Sequence, residues 1–332
     1  MNQPTIPEVN NKWRRQVSAA RIAYAQFPAV GGTNLDTLKR GKGYVPFIRE
    51  ANDSTVWSVT GEPYQGDIPF TLTGGSGSES DGWNLLGNPY PAPIQWTGNS
   101  SGGWNISGIS NTVYVLENSN EIEGGSAWRF SNGSIGTFDG VIAPGQAFWV
   151  RTTTGSPSIT ISESAKQTLD SDFFRSTNPD NILEIAMTSP QSEDVTFIGF
   201  DDEATAAFVT NLDGVKRENA YFNLSSLTSD GKPMVINLTT PEYCSQEFKL
   251  RTANAPEGSY SLTVNGADRF INGDVITLID NLTETETIIS SSETINFSIT
   301  SEPESKIDGR FVLRIERPEV NLQAVVKSET LC

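Results

Sequence analysis

The residues best suited to chemistry are carboxylates. Asp201-Asp202-Glu203 is the densest acidic triplet in the chain, and Glu193, Asp194 and Asp213 lie near it in sequence. Such a turn reads first as a solvated acidic loop. Its alternative chemistry is calcium: a hard cation takes about six to eight oxygen ligands, and a carboxylate-rich turn supplies several. Asp201, Asp202, Glu203 and Asp213 are therefore the candidate ligands, although the D-x-D-x-D-G spacing of an EF-hand loop is absent. Glycoside hydrolysis needs two carboxylates facing each other across a cleft, and no marker pairs any two here. The second set is aromatic. Of seven tryptophans, six fall between Trp57 and Trp149. Most are expected in a core. Trp57, Trp96, Trp104 and Trp128 are the candidates for stacking on a sugar ring. The chain has no histidine, which removes His-based triads, His-ligated zinc or haem, and the commonest general base. The expectation is a protein that is not an enzyme.

Composition sets the class. With 29 Gly and 18 Pro and no long amphipathic period, the chain reads as all-β, built of many short strands joined by turns. The formal net charge of −17 and pI near 4.4 argue against nucleic acid and against an anionic membrane surface as partners. They suit an exterior domain, or one that gathers divalent cations. No apolar run is long enough to span a bilayer. Residues 1–30 lack the apolar core of a signal peptide, because Arg14, Arg15, Arg21 and Gln26 interrupt it. The chain therefore reads as an excerpt of a longer protein. Its two cysteines, Cys244 and the final residue Cys332, do not decide the redox compartment.

The stretch that must position everything else is Gly82 to Trp96, GWNLLGNPYPAPIQW. Pro89, Pro91 and Pro93 each fix φ and remove a donor, so no helix runs through it. Asn84-Leu85-Leu86 reads as a buried strand entering a proline-locked turn. Trp83, Tyr90 and Trp96 are expected to plug the end of a core there. Asn84, Asn88, Pro89 and Phe148 are further structural candidates. Gly140–Arg151 reads as the strongest strand of this half. Gly74–Asp81 is glycine-rich but lacks the Gly-Lys-Ser/Thr ending of a phosphate loop. Alternation breaks near 175–180, at Asn178-Pro179-Asp180, and resumes with Ile182, Glu184 and Ala186 opposing Leu183, Ile185 and Met187. The expected organisation is a lead-in over 1–20, a β-sandwich over 21–175, a second over 180–317, and a linker or the start of a further repeat over 318–332. Either sandwich is of jelly-roll or immunoglobulin-like type. Val275, Leu278, Phe311 and Leu313 are expected in the second core.

Three segments carry a resemblance. GWNLLGNPYPAPIQW (82–96), IAPGQAFWV (142–150) and GKGY (41–44) resemble signature segments of β modules in very large surface proteins of Bacteroidetes, which sit ahead of a type IX secretion sorting domain. The stretch from Phe197 to Lys216 resembles the module that follows. It has Val209 where that pattern usually has an aspartate, against a metal role there. The resemblance implies an extracellular or outer-surface module working in adhesion or as a spacer between neighbouring domains. Its ligand would be a glycan, a surface or another protein, and no catalytic residues come with it. The alternative reading is a carbohydrate-binding module of a secreted polysaccharide-degrading protein.

Overall fold

The computed structural model describes residues 38–45, 62–75, 81–117, 127–168, 179–241, 245–270 and 273–317. The strand expected at 21–30, the hairpin expected around 51–54, Trp57, both cysteines and the segment 318–332 lie outside these residues. All regular structure described is strand, with three short 3-10 turns. None of it is a helix long and apolar enough to cross a membrane.

The first half contributes nine strands: β1 (Ile68–Pro69), β2 (Trp83–Gly87), β3 (Ile94–Gln95), β4 (Trp104–Ser107), β5 (Val113–Glu117), β6 (Ala127–Ser131), β7 (Val141–Ile142), β8 (Ala147–Arg151) and β9 (Ser158–Ile161). They form a four-stranded sheet in the order β2-β8-β5-β6, a three-stranded sheet β1-β9-β4 and a β3-β7 pair. These surround one core that includes Tyr90, Trp96, Trp104, Phe148 and Ile161.

The three segments of the sequence signature meet on β2. Its partner strand β8 pairs Leu86 with Phe148 and Trp83 with Arg151. On its other edge Gly43 N–H donates to Leu85 O at 3.1 Å, and Gly87 N–H to Gly41 O at 2.9 Å. Gly43 cannot carry a side chain there: a Cβ would stand 2.4 Å from Leu85 Cγ. The proline turn is held by Asn88. Its Nδ2 donates to the carbonyls of Ala92, Ile142 and Ala143, and its Oδ1 accepts from Tyr90 N–H. Asn84 pairs with Thr73 through both ends of its amide. Pro89 is half-buried, and the buried Tyr90 donates its hydroxyl to Gly66 O at 2.8 Å. Burial pushes that hydroxyl's pKa up to about 12.

Gly140–Arg151 is not one strand. Val141–Ile142 pairs with β3, whereas Ala147–Arg151 pairs with β2 and β5. Between them Pro144 lacks a donor, Gly145 takes φ +73°, and Gln146 Oε1 accepts from Ala143 N–H at 2.9 Å. That is turn chemistry inside an apolar run.

The second half contributes eleven strands: β10 (Ile182–Thr188), β11 (Glu193–Phe200), β12 (Gly214–Val215), β13 (Asn223–Leu227), β14 (Pro233–Thr239), β15 (Ser245–Ala253), β16 (Gly258–Asn265), β17 (Val275–Asp280), β18 (Thr285–Ile289), β19 (Ser292–Ile299) and β20 (Phe311–Glu316). Instead of two separate facing sheets they form one, in the order β18-β17-β20-β15-β13-β14-β11-β10-β16-β19, with β12 added on β14. The two edge strands follow each other in the chain, with Ile289 and Ser292 separated by two residues. Those strand ends therefore lie within about 10 Å of each other. A ten-strand path whose ends meet must roll, and this one is nearly closed and barrel-like. Its interior holds Leu183, Ile185, Met187, Phe222, Leu278, Phe311 and Leu313. Arg310 braces the closure: its guanidinium takes both oxygens of Asp280 at 3.1 Å and donates to Ser298 O and Ser305 O. Val275 is 39% exposed, contrary to expectation, because strand alternation puts it on the face opposite Leu278.

Candidate functional site

The four-stranded sheet of the first half is apolar on both faces. Leu86, Val113, Val115, Phe148 and Val150 enter the first core. Their neighbours point the other way: Trp83 and Leu85 on β2, Trp149 on β8, Tyr114 on β5, Trp128 and Phe130 on β6. These meet Ile182, Ala186, Val195, Phe197 and Ile236 from the outer face of the rolled sheet. A third apolar cluster therefore joins the halves. Across it Phe130 and Phe197 pack edge to face, with ring centroids 5.9 Å apart.

At its centre is Arg217, only 6% exposed. Its guanidinium carbon lies 3.9 Å from the ring centre of Trp128, 4.2 Å from Trp149 and 4.6 Å from Trp83. The rings themselves are set nearly at right angles, Trp128 against Trp149 at 84° and Trp83 against Tyr114 at 78°. A desolvated cation over an indole face is worth roughly 2 kcal/mol or more. The backbone around Arg217 completes the joint. Val215 O accepts from Tyr114 Oη–H at 2.7 Å, and burial drives that phenol's pKa upward. Glu218 O accepts from Trp128 Nε1–H at 3.1 Å, and Asn219 Oδ1 from Trp128 N–H at 2.8 Å. One residue before Arg217, Lys216 points in the opposite direction. Its ammonium meets Asp194 in a contact where both side chains are almost fully buried, 1% and 4% exposed. Burial lowers the Lys216 pKa, and the charge of Asp194 opposes that shift. Asp194 Oδ2 also accepts from Leu224 N–H at 2.6 Å, and Oδ1 from Val195 N–H at 3.0 Å.

Two of the candidate sugar rings are interior, Trp96 as the core plug expected of it. Trp96 and Trp104 are 1% and 4% exposed and pack against each other at 4.8 Å, 72° apart. Trp96 Nε1–H donates to Asn111 O at 2.7 Å, and Trp104 Nε1–H to Gln95 O at 2.6 Å. Both are interior residues with satisfied polar tips, not a stacking platform. Trp128 is partly exposed, but its face is taken by Arg217.

The carboxylates do not converge either. Asp213 is fully buried, with Oδ1 accepting from Leu238 N–H at 2.9 Å and Oδ2 from Val209 N–H at 2.6 Å. Burial raises its pKa to about 6 despite those bonds. It braces a turn. Asp201, Asp202 and Glu203 instead line a shallow cleft with Asn181, Phe200, Pro241 and Arg317. There Asp201 Oδ1 accepts from Glu203 N–H at 2.9 Å. Among the described residues no group of three or more His, Cys, Asp or Glu stands where it could hold a metal.

Sequence reasoning missed the joint. Its signal was present in Phe148-Trp149-Val150 and Val113-Tyr114-Val115, continuous apolar runs of the kind that strands covered on both faces show. The family model of a domain of unknown function (DUF8693) matches residues 5–315. The chain belongs to that family. The DUF8693 match takes in both halves and the joint between them. No curated protein and no solved structure matches the chain.

Proposed function

We propose that this DUF8693 chain is a non-catalytic β module of a large exported surface protein. In this reading the two β bodies are fixed in one orientation to act as a stiff spacer between neighbouring domains. The observation that carries it is the Arg217 joint. Three tryptophans, the largest rings available, are spent on fastening one half to the other, where a sugar-binding module would present rings to solvent. The surface location and export by type IX secretion rest on the resemblance of the 41–44, 82–96 and 142–150 segments, which makes adhesion the alternative to the spacer role. The adjacency of those segments on β2 gives a physical reason for them to occur together.

The test has two arms. Small-angle scattering of the chain is expected to fit one rigid particle, with no spread of angles between the halves; independent motion of the halves would overturn the spacer reading. Binding to glycan arrays, cells and abiotic surfaces is expected to be absent or weak. Saturable binding to one glycan class would make the module an adhesin instead. Turnover of polysaccharide or peptide would overturn the non-catalytic assignment.

A further inference from the structure

We propose that Lys216 and Asp194 form an intramolecular amide, cross-linking β11 to the segment after β12. The reactants are a primary amine and a carboxyl group in direct contact, their side chains 1% and 4% exposed. They lie 22 residues apart in sequence. Lys216 is held by its backbone N–H to Pro233 O at 2.9 Å, and the Asp194 carboxyl by the N–H groups of Leu224 and Val195. Two reacting groups held in contact by hydrogen-bonded backbone gain the advantage of an intramolecular reaction.

Burial takes away much of the solvation that stabilises an ammonium, which favours the neutral amine, the form that can attack. The lowered pKa of Lys216 has the same direction and the same cause. The step balances without any other reagent. The ammonium passes one proton to Asp194 Oδ2, leaving a neutral amine and a carboxylic acid. The amine nitrogen attacks Cγ. Nitrogen then gives a second proton to Oδ2, the Cγ–Oδ2 bond breaks, and Oδ2 leaves as water. Oδ1 remains as the amide oxygen, already facing Val195 N–H at 3.0 Å. The product is an uncharged buried amide in place of two buried charges. This inference does not depend on the spacer reading.

The experiment is an intact mass of the full chain under denaturing conditions, followed by a proteolytic map. The expected result is a chain one water lighter than its sequence mass, and a branched peptide joining the segment of Asp194 to that of Lys216. A mass equal to the sequence mass overturns the proposal. So does a lost water that maps to a succinimide at an Asp-Gly pair such as Asp230-Gly231; that loss would persist in Lys216→Arg, whereas the cross-link would not. Asp194→Asn gives a second readout, since the same attack on an amide expels ammonia in place of water. The wild-type mass decides the question even if both variants fail to fold.

Discussion

Individual side chains in this protein do their work through their second polar atom. Asn88 joins the proline turn to the β7–β8 connection through four backbone groups, which no hydrophobic residue can replace. Asn88→Ala is expected to cost about 2–3 kcal/mol in a denaturant titration, because buried carbonyls are left without donors. Asn88→Asp is expected to be worse, since a carboxylate would face the oxygens of Ile142 and Ala143. Asp213 makes a pH-dependent contribution. Its folded pKa of about 6 lies above the ordinary carboxylate value of 3.8. The folded state therefore binds that proton more tightly than the unfolded chain does. The resulting stability is fully present below the ordinary value and is lost as pH rises through about 6. At roughly 1.4 kcal/mol per pKa unit, the loss between pH 4 and 7 is on the order of 3 kcal/mol. Asp213→Asn is expected to lack this component, so the gap between wild type and variant should change over that pH range. At this scale the sequence revealed residue types but not their surroundings. Asn84, Asn88 and Tyr90 were legible because a proline-locked turn has to satisfy its amides locally. Trp104 was not, because an indole in a Gly/Asn/Ser-rich stretch looks the same whether it faces solvent or a second indole.

The strands were legible wherever alternation ran uninterrupted, as in β10, where Leu183, Ile185 and Met187 face one core and Ile182 and Ala186 the other. Reading failed where turn chemistry hid inside an apolar run, at Pro144-Gly145 between β7 and β8. A strand with little hydrophobic content carries no such alternation: β4 has only Trp104 and Ile106 as apolar residues, and it is its pairing of Trp104 with Ile161 that defines it. The rolling of the second sheet was hidden too, because strand order depends on pairings far apart in sequence. The Arg310–Asp280 pair is the element-level lock on that roll. Arg310→Ala is expected to destabilise the protein by about 3–5 kcal/mol, since it strands a buried carboxylate. Hydrogen exchange is expected to accelerate first in β17, β19 and the turn before β20, which the guanidinium ties together. Unchanged protection there would count against this role.

Over the whole molecule, the all-β class followed from composition, but the layer shared by the two halves did not. Its sign in the sequence is that β5 and β8 are apolar at consecutive positions, which a sheet with one wet face has no use for. Because the halves share that layer, they are expected to unfold together in a single calorimetric transition. Arg217→Ala empties the cage, leaving the rings of Trp83, Trp128 and Trp149 without their cation. It is expected to split the melt into two transitions and to red-shift tryptophan emission; a single unshifted transition would show that the apolar cluster alone suffices. The segment from Val215 to Asn219 has a further consequence. It serves two bodies with alternate residues, so its length is as constrained as its composition. Deleting one residue there would send an ammonium among the indoles and a guanidinium towards Asp194. Insertions and deletions in related chains should accumulate elsewhere, and a chain whose count differs at this point should have lost its joint.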